Sequence, residues 1–165
     1  MAGEAVSPAA RACPEAAAAH HRFPLYVRSR FRYAGDVNND AFIDGQNLYS
    51  GIRQLGWTLD YQKFRTYLAR HYGVTTAYYF LGYLPTQQKL YAGLRRAGYE
   101  LVFKPVVQGP GHDPKGNVDA DLVLQAMIEY PHYDRAVLVT GDGDFYCLIR
   151  YLLRQDKLRA VLSPN

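Results

Sequence analysis

From residue 40 onward, short runs of apolar residues alternate with segments in which apolar residues recur at helical spacing. The runs are rich in β-branched and aromatic residues, which is typical of strands, and they cover 40–44, 74–83, 99–105, 135–140 and 157–162. The segments with a helical period cover 60–72, 85–97, 118–130 and 143–154. Because strands that alternate with helices form a parallel sheet covered on both faces, we predict an α/β fold, a three-layer α/β/α sandwich.

Polar residues, proline and glycine mark where several of these elements begin and end. Asp60 is a predicted N-cap, Pro85 a predicted helix start and Gly98 a predicted helix stop. Gly45 follows the first strand directly and predicts a loop there. Residues 118–130 are apolar nearly all round, which predicts a deeply buried helix.

The first 39 residues differ in composition from the rest of the chain. Residues 1–21 are Ala-rich and lack an amphipathic period, so we predict a disordered or low-complexity extension over 1–39. Residues 21–33, HRFPLYVRSRFRY, are basic and aromatic, which is also compatible with a nucleic-acid-binding arm. Residues 40–165 are long enough to bury the core of one domain.

Composition and charge exclude some classes of protein and leave others open. No apolar run approaches the roughly 18 residues that span a bilayer, and the N-terminus lacks the apolar stretch of a secretory signal. Two cysteines form neither a disulfide framework nor a metal knuckle, so we expect a soluble cytoplasmic protein. The net charge of +4 is too small to indicate nucleic-acid binding by itself.

Acidic residues follow the predicted strands in a pattern that calls for an explanation. Asp44 ends the first strand, and Asp142 follows the fourth in the stretch VTGDGDF, with Asp144 two residues later. In open parallel sheets this edge binds ligands, above all where the strand order reverses. Asp119 and Asp121 lie in the first turn of a helix that begins beside the same edge. We therefore expect four or five carboxylates to share one rim.

Two interpretations of these acids compete. Each acid alone is compatible with a helix N-cap or with a favourable charge in a first helical turn. Together they repel one another, because two carboxylates 4 Å apart raise the free energy by about 4 kcal/mol at an effective dielectric constant of 20. A cation removes that repulsion. Carboxylate oxygens without Cys or His ligands favour Mg²⁺ or Mn²⁺ at this rim.

Three polar residues near the acids are candidates for supporting or substrate-binding roles, as is Asp121. Asn47 is placed to orient Asp44 or to bind a metal-bound water, and Thr140 to donate to a carboxylate or a phosphate. Lys115 precedes the helix that carries Asp119 and is placed to contact phosphate. Ordinary loop chemistry remains the alternative for each of them.

Three motifs in this order resemble those of NYN domains, which are PIN-like nucleases, and specifically their LabA-like branch. The motifs are FIDGQNL (42–48), KGNVDADLVLQAM (115–127) and VTGDGDF (139–145), and the resemblance covers residues 40–162. It implies a parallel five-stranded sheet in the order 3-2-1-4-5. It also implies a metal-dependent endoribonuclease that hydrolyses RNA phosphodiester bonds with Mg²⁺ or Mn²⁺ and leaves a 5′-phosphate and a 3′-hydroxyl.

The resemblance also implies which residues are catalytic, and what they act on. Matched motif by motif, these are Asp44, Asn47, Asp119, Asp142 and Asp144, whereas Asp121 falls where such domains vary. The same matching implies that the metal is held by Asp44, Asp119, Asp142 and Asp144. The expected partner is RNA in single-stranded form. Four basic residues are candidates for lining its approach, or simply for solvated helix and strand ends: Lys89, Arg95, Arg96 and Lys104.

Two other functions compete with the ribonuclease. A PIN-like fold can serve as a non-catalytic module that binds RNA or a protein, and the acids alone do not exclude it. A phosphatase of the haloacid dehalogenase type also uses acids after parallel strands, but its D-x-D motif is not matched by DGQN after the first strand. The sequence leaves a homodimer open.

Overall fold

The computed structural model describes residues 37–104 and 118–164, and within them five strands form one sheet. The strands are β1 (Asn39–Asp44), β2 (Val74–Gly82), β3 (Glu100–Lys104), β4 (Ala136–Val139) and β5 (Leu158–Leu162). All neighbouring strands are parallel, in the order β3-β2-β1-β4-β5. This confirms both the predicted α/β fold and the strand order that the family resemblance implies.

In the described part of the chain, five α-helices cover the sheet from both sides. They are α1 (Gly45–Gln54), α2 (Tyr61–Tyr72), α3 (Gln88–Arg96), α4 (Val118–Ile128) and α5 (Tyr146–Arg154). Two 3₁₀ turns, Pro85–Gln87 and Gly143–Phe145, lead into α3 and α5. The apolar residues of α1, α2 and α3 pack on one face of the sheet, and those of α4 and α5 on the other.

The central strands show why alternate residues reach opposite faces. In β1, Ala41 and Ile43 belong to the core beneath α1–α3, and Phe42 belongs to the core beneath α4 and α5. The side chains of a strand alternate between faces, so Asp44 at the end of β1 shares the α4–α5 face with Phe42. The same alternation places Thr140, directly after β4, on the face that Leu138 occupies.

The helix ends follow the predicted capping chemistry. The Asp60 carboxylate accepts a hydrogen bond from the Lys63 N–H at 3.0 Å and caps α2. Gly73 ends α2 with a φ of 65°, the left-handed conformation that favours glycine. Gly98, the predicted stop after α3, has a φ of 91°. Local chemistry alone therefore decides these boundaries.

Two predictions about helices were wrong. Helix α1 begins directly at Gly45, where a loop was expected, because the Asp44 carboxylate caps it from the last position of the strand. Helix α4 is not deeply buried: Leu122 and Ala126 face the sheet, but Leu124 and Ile128 are 59% and 52% exposed. An apolar composition shows only that residues can be buried. Whether they are buried depends on whether further protein covers the outer face of the helix.

The predicted boundary between residues 39 and 40 stays a prediction, because residues 1–36 lie outside the described part of the chain. Strand β1 itself begins at Asn39. Among the described helices, none combines the length and the apolar character that crossing a membrane requires.

Candidate functional site

Asp44 lies at the junction of β1 and α1 and is 5% exposed. Its carboxylate accepts a hydrogen bond from the Asn47 N–H at 3.0 Å, and the Gln46 N–H and the Thr140 hydroxyl also stabilise its charge. Strand β1 is paired with both β2 and β4, at the point where the strand order reverses. The first predicted acid is therefore a buried N-cap at the switch point of the sheet.

The Asn47 side chain joins this junction to the segment after β4. Its Oδ1 accepts a hydrogen bond from the Gly141 N–H at 2.7 Å, across 94 residues of sequence. The side chain is therefore engaged in holding the GDGD segment against α1. This contact positions the acids, and no local pattern in the sequence indicates it.

Two consecutive hydrogen bonds from backbone N–H groups to side chains stabilise the turn formed by residues 140–144. The Thr140 hydroxyl accepts from the Asp142 N–H at 3.0 Å, and Asp142 Oδ1 accepts from the Asp144 N–H at 2.9 Å. Asp142 is thereby the N-cap of the 3₁₀ turn that precedes α5. Thr140 is 2% exposed, so the turn rests on a buried hydroxyl.

Three of the predicted acids converge on this rim. One carboxylate oxygen from each of Asp119, Asp142 and Asp144 can be chosen so that all three lie within 4.8 Å of one another. We refer to these residues as the acid trio. Carboxylate oxygens are the donors that Mg²⁺ and Mn²⁺ prefer, so the residues present fit such an ion. Asp44 adjoins the trio without being one of its members.

The electrostatics of the rim agree with this proximity. Burial raises the pKa of Asp44, and the charge of Asp142 raises it further. Burial likewise raises the pKa of Asp119, and the charges of three neighbouring aspartates add to that effect while Lys104 opposes it. The neighbouring aspartates thus make ionisation of Asp44 and of Asp119 less favourable. A divalent cation at the trio would reverse the balance by favouring the charged forms.

The raised pKa of Asp44 predicts how stability changes with pH when no metal is bound. The folded state holds the Asp44 proton more tightly than the unfolded state, whose pKa is close to the ordinary 3.8. The free energy of unfolding that Asp44 contributes is therefore highest at low pH and falls as the pH rises through the raised value. We expect Asp44→Asn, which stays neutral, to gain stability relative to the unsubstituted protein over this window in urea unfolding with a chelator present.

A second variant tests whether the charge of Asp142 contributes to the raised pKa of Asp44. When Asp44→Asn is introduced into an Asp142→Asn background, its pH-dependent effect on the free energy of unfolding should become smaller, because one source of the raised pKa of Asp44 is gone. An effect of Asp44→Asn that is flat with pH, or that reverses in sign, would contradict the inferred environment of Asp44.

For two candidates from the sequence, the described residues show no part in this arrangement. Asp121 is half-buried in the first turn of α4, but it is not a member of the acid trio. Lys115 falls within 105–117 and lies outside the described residues. Their predicted supporting or substrate-binding roles stay predictions.

Gly45 is a structural requirement of the site that the sequence reasoning missed. A Cβ at this position would lie 2.3 Å from Tyr79 Cε1 and 2.6 Å from the Phe80 carbonyl oxygen. The start of α1 therefore packs against β2 so closely that only glycine fits. The signal was present, since a glycine directly after an acid at a strand end suggests close backbone approach.

The cavity found among the described residues lies away from the rim that carries the acid trio. A cavity of about 540 Å³ is found at the amino ends of the strands, lined by residues such as Asn39, Gly73 and Arg135. None of the predicted site residues lines it.

Comparisons with known proteins agree with the motifs and the sheet. The chain is 28% identical over 136 residues to the Low amplitude and bright protein LabA of Synechococcus elongatus, covering 75% of this chain and 72% of that one. It also matches the crystal structure of a protein of unknown function from Vibrio parahaemolyticus with a TM-score of 0.66 and 27% identity, over 79% of this chain and 83% of that one. The NYN domain family model matches residues 41–164. The chain therefore belongs to the NYN domain family and is LabA-like.

Proposed function

We propose that this protein is a metal-dependent endoribonuclease that hydrolyses phosphodiester bonds of single-stranded RNA with Mg²⁺ or Mn²⁺. NYN domains generally bind RNA, and the family includes ribonucleases that use divalent metals. The observation that carries the proposal is the acid trio, whose carboxylate oxygens approach within 4.8 Å of one another at the ligand-binding edge of a parallel sheet.

Asp119, Asp142 and Asp144 would hold the ion. A divalent ion held there supplies a bound water of lowered pKa and neutralises charge that develops on the phosphate. Asp44 adds a further negative charge behind the trio, which strengthens the attraction for a cation as long as Asp44 is ionised. Asn47 and Thr140 keep the acids in place through their bonds to Gly141 and Asp142.

The surroundings of the trio favour a polymer as substrate. Gly141, Gly143 and Asp144 are exposed, and a Cβ at Gly143 would meet no atom within 4 Å. An RNA backbone can therefore approach the acids closely. Lys89, Arg95 and Arg96 are exposed on α3 and are candidates for contacts to further phosphates. Hydrolysis would leave a 5′-phosphate and a 3′-hydroxyl.

The proposal is tested by titrating Mg²⁺ and Mn²⁺ against three substrates compared side by side: single-stranded RNA, structured RNA and single-stranded DNA. We expect metal-dependent internal cleavage of single-stranded RNA that is abolished by a chelator and restored by added Mn²⁺. Internal products carrying a 5′-phosphate would support hydrolysis at the proposed position. Binding of RNA without cleavage of any substrate would contradict the enzyme and favour the non-catalytic module.

Metal binding itself can be measured without any RNA. We expect Mn²⁺ to raise the melting temperature, because a ligand at a hundred times its dissociation constant stabilises the folded state by about 2.7 kcal/mol. The effect should weaken as the pH falls, since the carboxylates must be ionised to bind. Thermal unfolding with and without Mn²⁺ measures it, and an equal response in Asp142→Asn would place the ion elsewhere.

A further inference from the structure

Lys104 is the last residue of β3 and faces the same side of the sheet as the acids. Val102, two residues earlier, packs in the core beneath α4 and α5, whereas Leu101 packs in the opposite core. Alternation along the strand therefore places the Lys104 side chain with Val102, on the α4–α5 face. The Lys104 charge also reaches this face, because it lowers the pKa of Asp119 in the first turn of α4.

The Lys104 ammonium group is shielded from solvent. Its Nζ has no hydrogen-bond partner among the residues that the structure describes. Lys157 shows the usual arrangement, since its Nζ donates to the carbonyl oxygens of Tyr130, at 3.2 Å, and of Tyr133. A buried cation without hydrogen bonds raises the free energy of the folded state. Lys104 is therefore a cation whose partner is missing from the described residues.

The sheet register shows where that partner would lie. Lys104 is paired with Gly82 of β2, and Asp44 is paired with Phe80 of the same strand. Lys104 thus lies two strands and two residues away from Asp44, about 10 Å across the sheet and 7 Å farther along it. Gly82, on the same face between them, contributes no side chain. A substrate lying across the rim from the acid trio towards β3 would reach Lys104 next, and the flexible lysine stem would have to turn the shielded ammonium outward to contact it.

We propose that Lys104 binds a backbone phosphate of the RNA, next to the phosphate that lies at the acid trio. This deepens the proposed function and rests on it. A phosphate supplies the anionic oxygens that the ammonium lacks, and a lysine on its flexible stem binds phosphate as a compact point charge. The pairing would align single-stranded RNA across the carboxyl edge, with the scissile bond at the metal and the neighbouring nucleotide over the end of β3.

The test measures RNA binding separately from cleavage. A short fluorescent oligouridylate is titrated with protein at several salt concentrations, in an Asp142→Asn background that leaves the RNA intact. We expect Lys104→Gln to weaken binding at least about tenfold, since hydrogen bonds to charged groups are among the strong ones. We also expect it to reduce the slope of log affinity against log salt by about 0.7, the loss of one phosphate contact on a single strand.

The matched control is Lys63→Gln, which removes the same charge from α2 on the other face of the sheet, where Lys63 is 86% exposed. Lys63→Gln should leave the slope of log affinity against log salt unchanged. Lys104→Arg, which keeps the positive charge, should show most of the slope that Lys104→Gln loses. An unchanged slope in Lys104→Gln would overturn the phosphate site, as would an unsubstituted protein that does not bind the oligouridylate. If Lys104→Gln reduces the salt slope but the protein with Asp142 intact cleaves no RNA, the phosphate site is kept and the nuclease is rejected. The failure of one proposal can therefore be told from the failure of the other.

Stability separates a binding role from a structural one. Lys104→Met removes a buried charge that has no hydrogen-bond partner among the described residues, so the melting temperature of the RNA-free protein should stay the same or rise. Lys157→Met removes a paired ammonium and should lower it. A drop in Lys104→Met as large as in Lys157→Met would show that Lys104 holds the fold together and would overturn the proposal.

Discussion

Asp142→Asn is expected to reduce Mn²⁺-dependent RNA cleavage by more than about a hundredfold while leaving the fold intact. Asp142 contributes one carboxylate oxygen to the acid trio, and even the outer partners of metal ligands typically matter by about 10–100-fold. Asparagine keeps the side-chain oxygen that accepts from the Asp144 N–H, and it caps helices as well as aspartate does. This variant should therefore lose RNA cleavage while its stability stays close to that of the unsubstituted protein.

The matched control for Asp142→Asn is Asp60→Asn. Asp60 is also an N-cap that accepts a backbone N–H at 3.0 Å, but it lies at the start of α2, on the face opposite the acid trio. We expect full activity from it. Initial rates with single-stranded RNA, together with melting temperatures measured in a chelator, compare the two variants. Unchanged cleavage by Asp142→Asn would refute the assignment of the metal site.

Gly45→Ala should destabilise the protein by about 1–3 kcal/mol or more, the range for overpacking a tight core. The new methyl group would lie 2.6 Å from the Phe80 carbonyl oxygen, a backbone atom that cannot move without disturbing β2. Relief would require α1 to shift away from the sheet, which would carry Asp44 and Asn47 with it. We therefore expect reduced cleavage as well as a lower free energy of unfolding, measured by urea denaturation.

Gly143→Ala is the matched control for the effect on stability. It adds the same methyl group four residues from the end of β4, where no atom lies within 4 Å. The free energy of unfolding should therefore change by much less than in Gly45→Ala. Equal destabilisation in both variants would indicate that helix propensity or backbone freedom, rather than close packing against β2, dominates at Gly45.

Much of the fold follows from local patterns in the chain. The apolar runs predict all five strands, since β-branched and aromatic residues bounded by turns have few other stable arrangements. Asp60 and Gly98 act through bonds and dihedral angles of their own neighbourhood, so their positions as helix cap and stop are readable. Helix α1 was missed because its segment contains two glycines and few apolar residues, and glycine weakens the helical signal.

Part of the candidate site could likewise be predicted from the sequence, and part could not. That Asp44 and Asp142 end neighbouring parallel strands follows from their positions after apolar runs and from the reversal of strand order. That Asp119 lies on the same rim was also predicted, because a right-handed crossover begins α4 beside the same edge of the sheet. How closely Asp119 approaches Asp142 and Asp144 depends on where α4 begins above the sheet, and only the structure shows that distance.

The sequence by itself determined the class of fold, the strand order through its family motifs, and the set of acids from which a metal site can be built. These depend on short-range chemistry, in which apolar period, capping and turn residues act over a few positions. Only the tertiary structure decided which three acids approach one another, that Asn47 holds Gly141 from 94 residues away, and that Lys104 lies on the face of the acids without a hydrogen-bond partner among the described residues. Such contacts join residues remote in sequence, so the packing of helices and strands brings them together and local composition cannot.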